Sequence, residues 1–373
     1  MLVGGYLLCC DKAVQADFVW GEPVQVPNVN SPSGEGSPDI SADGLELYFS
    51  SLRPGGADLS YADIWKATRA TTDDTWNEPV NLGPPVNTPG PELNPSISAD
   101  GLELYFSEGF PSQCPQCTLR PGGYGGGDLW VSKRESRGDD WGVPVNLGPS
   151  ISTPGWEDYP NISADGLSLY FCSNRPGGQG NSDIYVAQRV TKNDPWEPAA
   201  NVGPPVSTSE WQMTTEISAD GLALFICTGQ WHSDVRMAVR ATVTSPWEAP
   251  IPVGAANTSI DEYGLSLSSD GSTLYFGRGE IVYAGPSPAF GTYDLWQVEI
   301  IPIVDFDGDG VLSLTDMVML IDNWGTSNPL YDIGPMPWGD GRVDIQDLKV
   351  FIAYWEKGNQ DEAYPEISAR GRR

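Results

Sequence analysis

The sequence predicts an all-β protein, a five-bladed β-propeller, followed by a small α-helical domain. The first observation is a repeat: Ile40–Ser50 returns letter for letter at Ile97–Ser107, and three weaker copies follow. The second is that further strand patterns follow each copy, so that one repeat holds up to four strands. The third is a change after residue 300, where strand alternation gives way to helical periodicity. Four-stranded units repeated at such a period are typical of propeller blades.

Each repeat begins with a β-hairpin. An apolar strand ends at Ser-Ala-Asp-Gly or a close variant, where Asp and Gly tolerate the left-handed backbone of a tight turn. The alternating Leu-x-Leu-Tyr-Phe pattern then predicts the returning strand. The turn aspartates are Asp43, Asp100, Asp165, Asp220 and Asp270. We interpret them as turn residues, because every blade requires the same turn.

Two more strands complete the repeat. The third strand is predicted at Asp63–Trp65, Asp128–Trp130, Asp183–Tyr185, Asp234–Arg236 and Asp294–Trp296. The fourth strand starts with a tryptophan and is predicted at Trp76–Val80, Trp141–Val145, Trp196–Ala199 and Trp247–Ile251. In the first three repeats, Arg-Pro-Gly-Gly lies between the hairpin and the third strand, where it predicts a turn.

The count of fourth strands indicates how the ring closes. The fifth repeat ends at Ile300 without a fourth strand, and a spare copy, Trp20–Val24, precedes the first repeat. We therefore expect the N-terminal strand to complete the last blade and remove an open sheet edge. The Ser-Ala/Ser-Asp-Gly, Leu-Tyr-Phe and Asp-Ile/Leu-Trp motifs make residues 17–300 resemble the WD40-like repeats in the propeller of TolB-like periplasmic proteins.

Composition limits the function and the compartment. The net charge of −30 argues against nucleic-acid binding, because phosphates require Lys and Arg. Residues 1–16 are predicted to be a signal peptide with a truncated start, since Met1–Cys10 is apolar and Val14–Ala16 fits a signal-peptidase site. This segment is too short to span a membrane. We expect a secreted, periplasmic or cell-surface protein with a disordered tail at 357–373.

Four cysteines remain after such cleavage. Cys114 and Cys117 lie in an insertion of the second repeat, where an exported protein is expected to have a local disulfide or two loop thiols. Cys172 and Cys227 occupy equivalent strand positions of adjacent repeats. We expect this second pair to be buried free thiols.

Residues 305–316 form a twelve-residue calcium-loop pattern. Carboxylates stand at positions 1, 3, 5 and 12, a glycine stands at position 6 and a carbonyl ligand is expected at position 7. The predicted ligands are Asp305, Asp307, Asp309, Val311 and Asp316, with Ser313 at position 9. Calcium takes six or more oxygens, and this spacing wraps them around one point. Apolar residues at helical spacing then predict a helix over Met317–Trp324 that Gly325 ends.

A looser second copy follows at residues 332–347. Its candidate ligands are Asp332, Asp340, Asp344 and Asp347. The strict register places Met336 and Trp338 where positions 1 and 3 require oxygens, so Asp332 serves only if the loop bulges by four residues. The apolar residues of 348–355 repeat the helical face.

Two loop–helix units make residues 301–356 resemble a dockerin domain, the calcium-binding module that joins polysaccharide-degrading proteins to cohesin-bearing scaffolds. The resemblance implies calcium as the cofactor and a cohesin-bearing scaffold protein as the partner. In that family, loop positions 10 and 11 help to recognise the cohesin, and here they are Leu314-Thr315 and Ile345-Gln346. The alternative is a structural appendage that calcium stiffens.

The candidate ligand site of the propeller is a ring of acids. An acid, or a glutamine in the fourth repeat, precedes each innermost strand, and equivalent positions surround the channel of a propeller. The set is Glu35, Glu92, Glu157, Gln212 and Glu262, next to Trp156, Tyr159, Trp211 and Tyr263. Aromatic faces and carboxylates suit a polysaccharide ligand. The alternative is that these glutamates are structural and bind backbone or strand ends.

No catalytic motif stands out in this sequence. His232 is the only histidine, and no Gly-x-Ser-x-Gly elbow accompanies it. The leading hypothesis is an exported non-catalytic propeller that binds a glycan or protein in polysaccharide degradation and is tethered through the dockerin-like domain. The alternatives are a dockerin-bearing glycoside hydrolase, which requires two suitably spaced carboxyl groups, and a TolB-like envelope scaffold.

Overall fold

The computed structural model describes most of the chain. The described residues are 18–56, 61–109, 120–229, 232–279, 293–328, 330–336 and 339–358. The predicted signal peptide, the pair Cys114 and Cys117, and all but the first residues of the predicted tail lie outside them. The chain divides into two compact units, a propeller unit at Gly21–Glu299 and a terminal unit assigned to Met1–Trp20 and Ile300–Arg373.

Within the described residues, the strands of the propeller unit form five sheets, one for each repeat. The chain begins with β1 (Phe18–Trp20) and β2 (Val24–Gln25). Blade one contains β3 (Glu35–Ile40), β4 (Glu46–Ser51), β5 (Asp63–Thr68) and β6 (Val80–Asn81). Blade two contains β7 (Glu92–Ile97), β8 (Glu103–Glu108), β9 (Leu129–Lys133) and β10 (Val145–Asn146). Blade three contains β11 (Glu157–Ile162), β12 (Ser168–Ser173), β13 (Asp183–Gln188) and β14 (Ala200–Asn201).

The last two blades continue the same order. Blade four contains β15 (Gln212–Ile217), β16 (Ala223–Thr228), β17 (Asp234–Val239) and β18 (Ile251–Pro252). Blade five contains β19 (Asp261–Leu267), β20 (Thr273–Gly279) and β21 (Asp294–Pro302), together with β2. Paired strands are antiparallel throughout these sheets. The predicted five-bladed β-propeller is confirmed.

The repeated hairpin has the predicted turn. In blade one, the carboxylate of Asp43 accepts hydrogen bonds from the Ser41 hydroxyl (2.6 Å) and the Leu45 N–H (3.1 Å). The glycines after the turn aspartates all have positive φ, between 70° and 74°. The returning strand β4 then buries Leu47 and Phe49 completely. The hairpin motif therefore recurs because each blade needs this turn and this buried strand.

The fourth strands are shorter than predicted. Each has two residues, and in blade one the strand begins at Val80, only after the proline. Pro79 has no N–H to donate to a sheet. Trp76 is 3% exposed and packs in the blade core, with the Arg69 guanidinium 4.3 Å from its ring centroid. The tryptophan segment is therefore an inward-packed anchor that precedes the strand.

The N-terminal strand closes the ring as predicted. Strand β2 pairs antiparallel with β21, with Val24 opposite Gln297 and Gln25 opposite Trp296. This pairing places β2 on the outer side of β21, the position that β6 occupies beside β5. Blade five is therefore built from both ends of the propeller unit.

The terminal unit combines a strand pair with two helices. Strand β1 pairs with the end of β21, with Phe18 opposite Pro302 and Trp20 opposite Ile300. The helices are α1 (Leu314–Asp322) and α2 (Ile345–Gly358). The buried core is Val304, Leu320, Ile333, Val343 and Phe351. No helix in the described part of the chain is long and apolar enough to span a membrane.

Helix α1 ends earlier than predicted. Its last residue is Asp322, and the Asn323 side chain caps it by donating to the Met319 carbonyl (2.8 Å). Trp324 therefore lies beyond the helix. Ile321 and Trp324, which the helical spacing placed with the core residues, are 49% and 46% exposed.

The prediction for the second cysteine pair is confirmed. Cys172 and Cys227 are free and buried. Burial raises the pKa of both thiols well above the usual range. These cysteines therefore remain protonated and act as small core residues.

Candidate functional site

The first acidic loop brings three carboxylates together. One oxygen from each of Asp305, Asp307 and Asp309 lies within 4.8 Å of the other two. Oxygen ligands at 2.3–2.6 Å from calcium lie up to about 5 Å apart across the ion. These three side chains, all hard oxygen donors, therefore fit around one calcium ion.

Two of the predicted ligands also hold the loop in shape. Asp305 accepts a hydrogen bond from the Gly310 N–H (3.0 Å), which closes the turn at position 6. Asp316 is fully buried and accepts from the N–H groups of Phe306 and Ser313 (2.8 Å each). Asp316 thus ties the start of the loop to the first turn of α1. It does not belong to the group of three clustered carboxylates.

Negative charge is concentrated in this loop. The pKa of Asp307 is raised: a hydrogen bond from the Asp309 N–H lowers it, but desolvation and the charges of Asp316, Asp309 and Asp305 outweigh that bond. The Val311 N–H donates to Asp309 (2.8 Å), so the chain turns back at the predicted position 7. A divalent cation would relieve the repulsion among these carboxylates.

The second loop has the same framework with four additional residues. Asp332 accepts hydrogen bonds from the N–H groups of Asp340 (2.9 Å) and Gly341 (2.6 Å), as the first aspartate of the first loop does from its glycine. Asp347 is fully buried and accepts from the Asp344 N–H (2.6 Å). The extra residues lie between Asp332 and Asp340. Asp332 therefore takes the place of the first aspartate through the bulge that the sequence requires.

The second loop gathers fewer carboxylates than the first. Within the described residues, no three of its acids converge as those of the first loop do. Burial raises the pKa of Asp332 to about 6, against the hydrogen bonds from Asp340 and Gly341, and the charges of Asp347 and Asp340 raise it further. The first loop is therefore the stronger candidate for a cation.

The predicted ring of glutamates is not exposed at a channel mouth, which corrects that expectation. Its four glutamates are Glu35, Glu92, Glu157 and Glu262, and all are 0% exposed. None of them lines either of two small cavities that lie on the propeller axis. In blade three, Glu157 lies 3.1 Å from Arg175 and accepts hydrogen bonds from the Thr153 N–H (2.7 Å) and hydroxyl (2.6 Å). Burial raises the pKa of Glu157 and lowers that of Arg175.

The structural alternative for these glutamates accounts for their contacts. Each glutamate accepts hydrogen bonds from the loop before the innermost strand and forms an ion pair with an arginine. In blades one to three this arginine begins the Arg-Pro-Gly-Gly turn, and in blade five it is Arg278, within β20. The ion pairs are Glu35–Arg53, Glu92–Arg120, Glu157–Arg175 and Glu262–Arg278. Gln212 holds the same loop of blade four through the Thr208 hydroxyl (2.9 Å). The sequence has Gln230, outside the described residues, where the first three blades have arginine.

Three of the four predicted aromatic residues are only partly buried, and two of them form a pair. Trp156 and Trp211, from neighbouring blades, are partly buried and stack with ring centroids 6.5 Å apart and planes inclined by 29°. Tyr263 is only 6% exposed and meets Tyr293 edge to face at 4.6 Å. Tyr159 lines an axial cavity. The structure therefore leaves a tryptophan pair, without the buried glutamates, as the aromatic surface.

Sequence reasoning missed a polar ring on the propeller axis. One side chain of each innermost strand accepts the N–H of the next blade, as Asp39 does from Ile97 (2.5 Å) and Glu216 does from Leu267 (2.9 Å). The axial ring is Asp39, Ser96, Asn161, Glu216 and Ser266. These bonds run from blade to blade and return to the first. The sequence pattern that could have predicted this ring is a polar residue four positions before every turn aspartate.

Two cavities are stacked along this axis, and all five blades line each of them. The larger, of about 60 Å³, lies between four of the ring residues and the hairpin turns. The smaller, of about 20 Å³, lies further along the innermost strands, and Asp39 and Asn161 line both cavities. Sites for small organic molecules are usually about 300–1,000 Å³. The described channel therefore suits ions or water and is too small for a sugar ring.

The axial ring carries acids without a basic neighbour. No Lys, Arg or His lines either described cavity. Burial raises the pKa of Asp39, against hydrogen bonds from the Ile97 N–H and the Ser266 hydroxyl. Burial, and then the charge of Asp39, raise the pKa of Glu216. The two carboxyl groups therefore influence each other across the channel.

Comparison with known proteins gives matches among solved structures only. No protein-family model and no curated protein matches this sequence. Among solved structures, TolB from Acinetobacter baumannii is 14% identical (TM-score 0.42); the match covers 72% of this chain and 54% of TolB, so this chain spans about half of that protein. An α-L-arabinofuranosidase from Lactobacillus brevis is 13% identical (TM-score 0.49), with 75% of this chain and 94% of that chain covered. One from Podospora anserina, in complex with cellotriose, is 13% identical (TM-score 0.47), with 77% and 97% covered.

Proposed function

We propose that this chain is an exported, non-catalytic binding protein in polysaccharide degradation. Its terminal unit takes up calcium and docks on a cohesin-bearing scaffold protein, and its propeller binds a glycan or a protein segment. The observation that carries the proposal is the framework shared by the two acidic loops. In both loops, a first aspartate accepts N–H groups of the turn and a last, fully buried aspartate accepts the N–H at the helix start.

The helix surfaces support a docking role for the terminal unit. Leu314, Val318 and Ile321 follow one another at i, i+4 and i+7 on α1 and are 66%, 53% and 49% exposed. On α2, Ile345 and Ile352 are 49% and 39% exposed. Apolar side chains at this spacing form a stripe suited to a protein partner. Leu314 and Ile345 stand at loop position 10, which the resemblance to dockerins relates to cohesin recognition.

The tryptophan pair supports the binding role of the propeller. Trp156 and Trp211 provide adjacent aromatic faces that are partly accessible. Such faces stack on sugar rings and also bind apolar side chains. The buried glutamates offer no free carboxylates for acid–base chemistry, which favours binding over hydrolysis.

Calcium binding is tested on the full chain by isothermal titration and by thermal unfolding with and without a chelator. We expect Asp305→Ala to lose the tightest calcium site and the chelator sensitivity of the terminal unit, because it removes a ligand and a turn acceptor. Asp322→Ala is the matched control, since Asp322 is an exposed aspartate at the end of α1. Unchanged melting in the chelator would contradict a structural calcium site.

The two binding roles are tested separately. Leu314→Asp together with Ile345→Asp should abolish calcium-dependent capture by an immobilised cohesin panel and leave calcium binding intact. Trp211→Ala should weaken retention on insoluble polysaccharides at least tenfold, whereas Val80→Ala, an exposed apolar residue in the outermost strand of blade one, should not. Release of reducing sugars by the unmodified chain would overturn the non-catalytic role.

A further inference from the structure

The axial ring of the propeller places two acids where no base accompanies them. Asp39 and Glu216 are each 6% exposed and come from blades one and four. They line the larger cavity with Ser96 and Asn161, and no Lys, Arg or His lines either described cavity. A buried carboxylate without a positive partner is unfavourable. Protonation of the two acids removes this cost, and so would a cation bound between them.

The hydrogen bonds of the ring leave carboxylate lone pairs available. Asp39 accepts the Ile97 N–H on Oδ2, and on Oδ1 only a long bond of 3.3 Å from the Ser266 hydroxyl. Glu216 accepts the Leu267 N–H on Oε1 and the Asn161 amide on Oε2. Each carboxylate oxygen has two lone pairs. These bonds hold both carboxylates in place without saturating them.

An independent sign of a missing partner lies in the smaller cavity. Thr215 is 4% exposed, lines this cavity, and has a buried hydroxyl with no hydrogen-bond partner among the described residues. A buried polar group without a hydrogen-bond partner is unfavourable. The hydroxyl oxygen would be satisfied by a water or ion in the cavity, next to Asp39 and Asn161.

The volumes limit the size of the ligand. A cavity of about 10–15 Å³ holds one water molecule, so the smaller cavity of about 20 Å³ takes one particle of that size. The larger cavity of about 60 Å³ takes an ion with a few waters. We propose that the axial channel of the propeller binds a hard divalent cation, such as calcium, between Asp39 and Glu216. Asn161, Ser96 and water would supply neutral oxygens.

This inference is independent of calcium binding in the terminal unit. The experiment uses the full chain with both acidic loops disabled by Asp305→Ala and Asp332→Ala, and calcium is the probe. Equilibrium dialysis measures bound calcium per chain, and thermal unfolding followed by tryptophan fluorescence reports the propeller. We expect the loop-disabled chain to retain one calcium per chain.

Variants of the ring decide the assignment. Glu216→Gln should lower calcium affinity at least tenfold, and Asp39→Asn, which introduces the side chain that blade three already has at Asn161, should do the same. Asp158→Asn is the matched control, because Asp158 is an equally buried acid that lines neither cavity. No bound calcium in the loop-disabled chain, or equal calcium binding by the ring variants and the control, would overturn the proposal. If Glu216→Gln does not fold, the comparison of Asp39→Asn with Asp158→Asn decides it alone.

Discussion

The buried pair Glu157–Arg175 allows a sharp test of whether the repeated glutamates are structural. Glu157 is 0% exposed and the Arg175 side chain is 10% exposed, so removal of the carboxylate leaves a nearly buried cation unpaired. Such a change costs about 3–5 kcal/mol. Arg175 keeps hydrogen bonds to the Ile151 carbonyl (2.5 Å) and the Ser173 hydroxyl (3.1 Å), which favours the lower part of this range. We therefore expect Glu157→Gln to destabilise the propeller by about 3 kcal/mol.

Blade four provides the compensating change. Gln212 holds its loop by an amide, and the sequence has Gln230 where blade three has Arg175. The double variant Glu157→Gln, Arg175→Gln copies this pair of side chains and removes the unpaired cation. It loses the stacking of the guanidinium on Phe171 and Tyr185, worth about 1 kcal/mol or more. We expect the double variant to be more stable than Glu157→Gln by about 1–2 kcal/mol, a clear non-additivity.

Urea unfolding of the full chain in saturating calcium, followed by tryptophan fluorescence, measures these differences. The single Arg175→Gln variant completes the double-mutant cycle. Gln212→Glu is the reciprocal control, since it introduces a buried acid, and it should destabilise blade four. Additive effects in the cycle would refute the structural pairing. A Glu157→Gln variant with normal stability but no glycan binding would instead favour the ligand site that the sequence suggested.

Three further predictions concern other parts of the chain. Gly264→Ala should destabilise the propeller by about 3 kcal/mol in urea unfolding, because the new Cβ would lie 2.4 Å from the Ser37 Cα and the φ of Gly264 is +59°. Gly254→Ala is the control and should be nearly neutral, because the space around Gly254 is open. Asp316→Ala should destabilise the terminal unit by about 2–4 kcal/mol even in a chelator, since the N–H groups of Phe306, Asp307 and Ser313 lose their acceptor; a loss only in calcium would contradict this. Burial raises the pKa of Asp158, so the native state binds the Asp158 proton more tightly than the unfolded chain does. The free energy of unfolding of the wild type should therefore fall relative to that of Asp158→Asn as the pH rises above about 4. A difference between the two that is independent of pH would show that Asp158 is not desolvated.

The repeat made the fold readable from the sequence, because each blade needs the same local devices. The Asp-Gly turn and the buried Leu-x-Leu-Tyr-Phe strand depend on neighbours within about ten residues, so their pattern is complete in one repeat. The closing strand was also predictable, since a count of Trp-Gly-Glu-Pro-type segments shows which blade lacks one. The fourth strands were overestimated because Trp76 uses its size to fill the blade core, which alternation alone does not reveal.

The acidic loops were equally readable in sequence, since their ligands are set by spacing over twelve residues. The bulge that lets Asp332 act as the first aspartate required the structure, because only the hydrogen bonds to Asp340 and Gly341 show which register the loop adopts.

Two features of the propeller were decided by the tertiary structure alone. The position of Glu157 in the repeat was visible, but its burial against Arg175 depends on how the loop and turn fold over the blade. The facing of Asp39 and Glu216, 177 positions apart in the chain, depends on ring closure. A sequence shows which residues recur at one position of a repeat. Only the closed ring determines which of those positions meet on the axis and which are sealed from solvent.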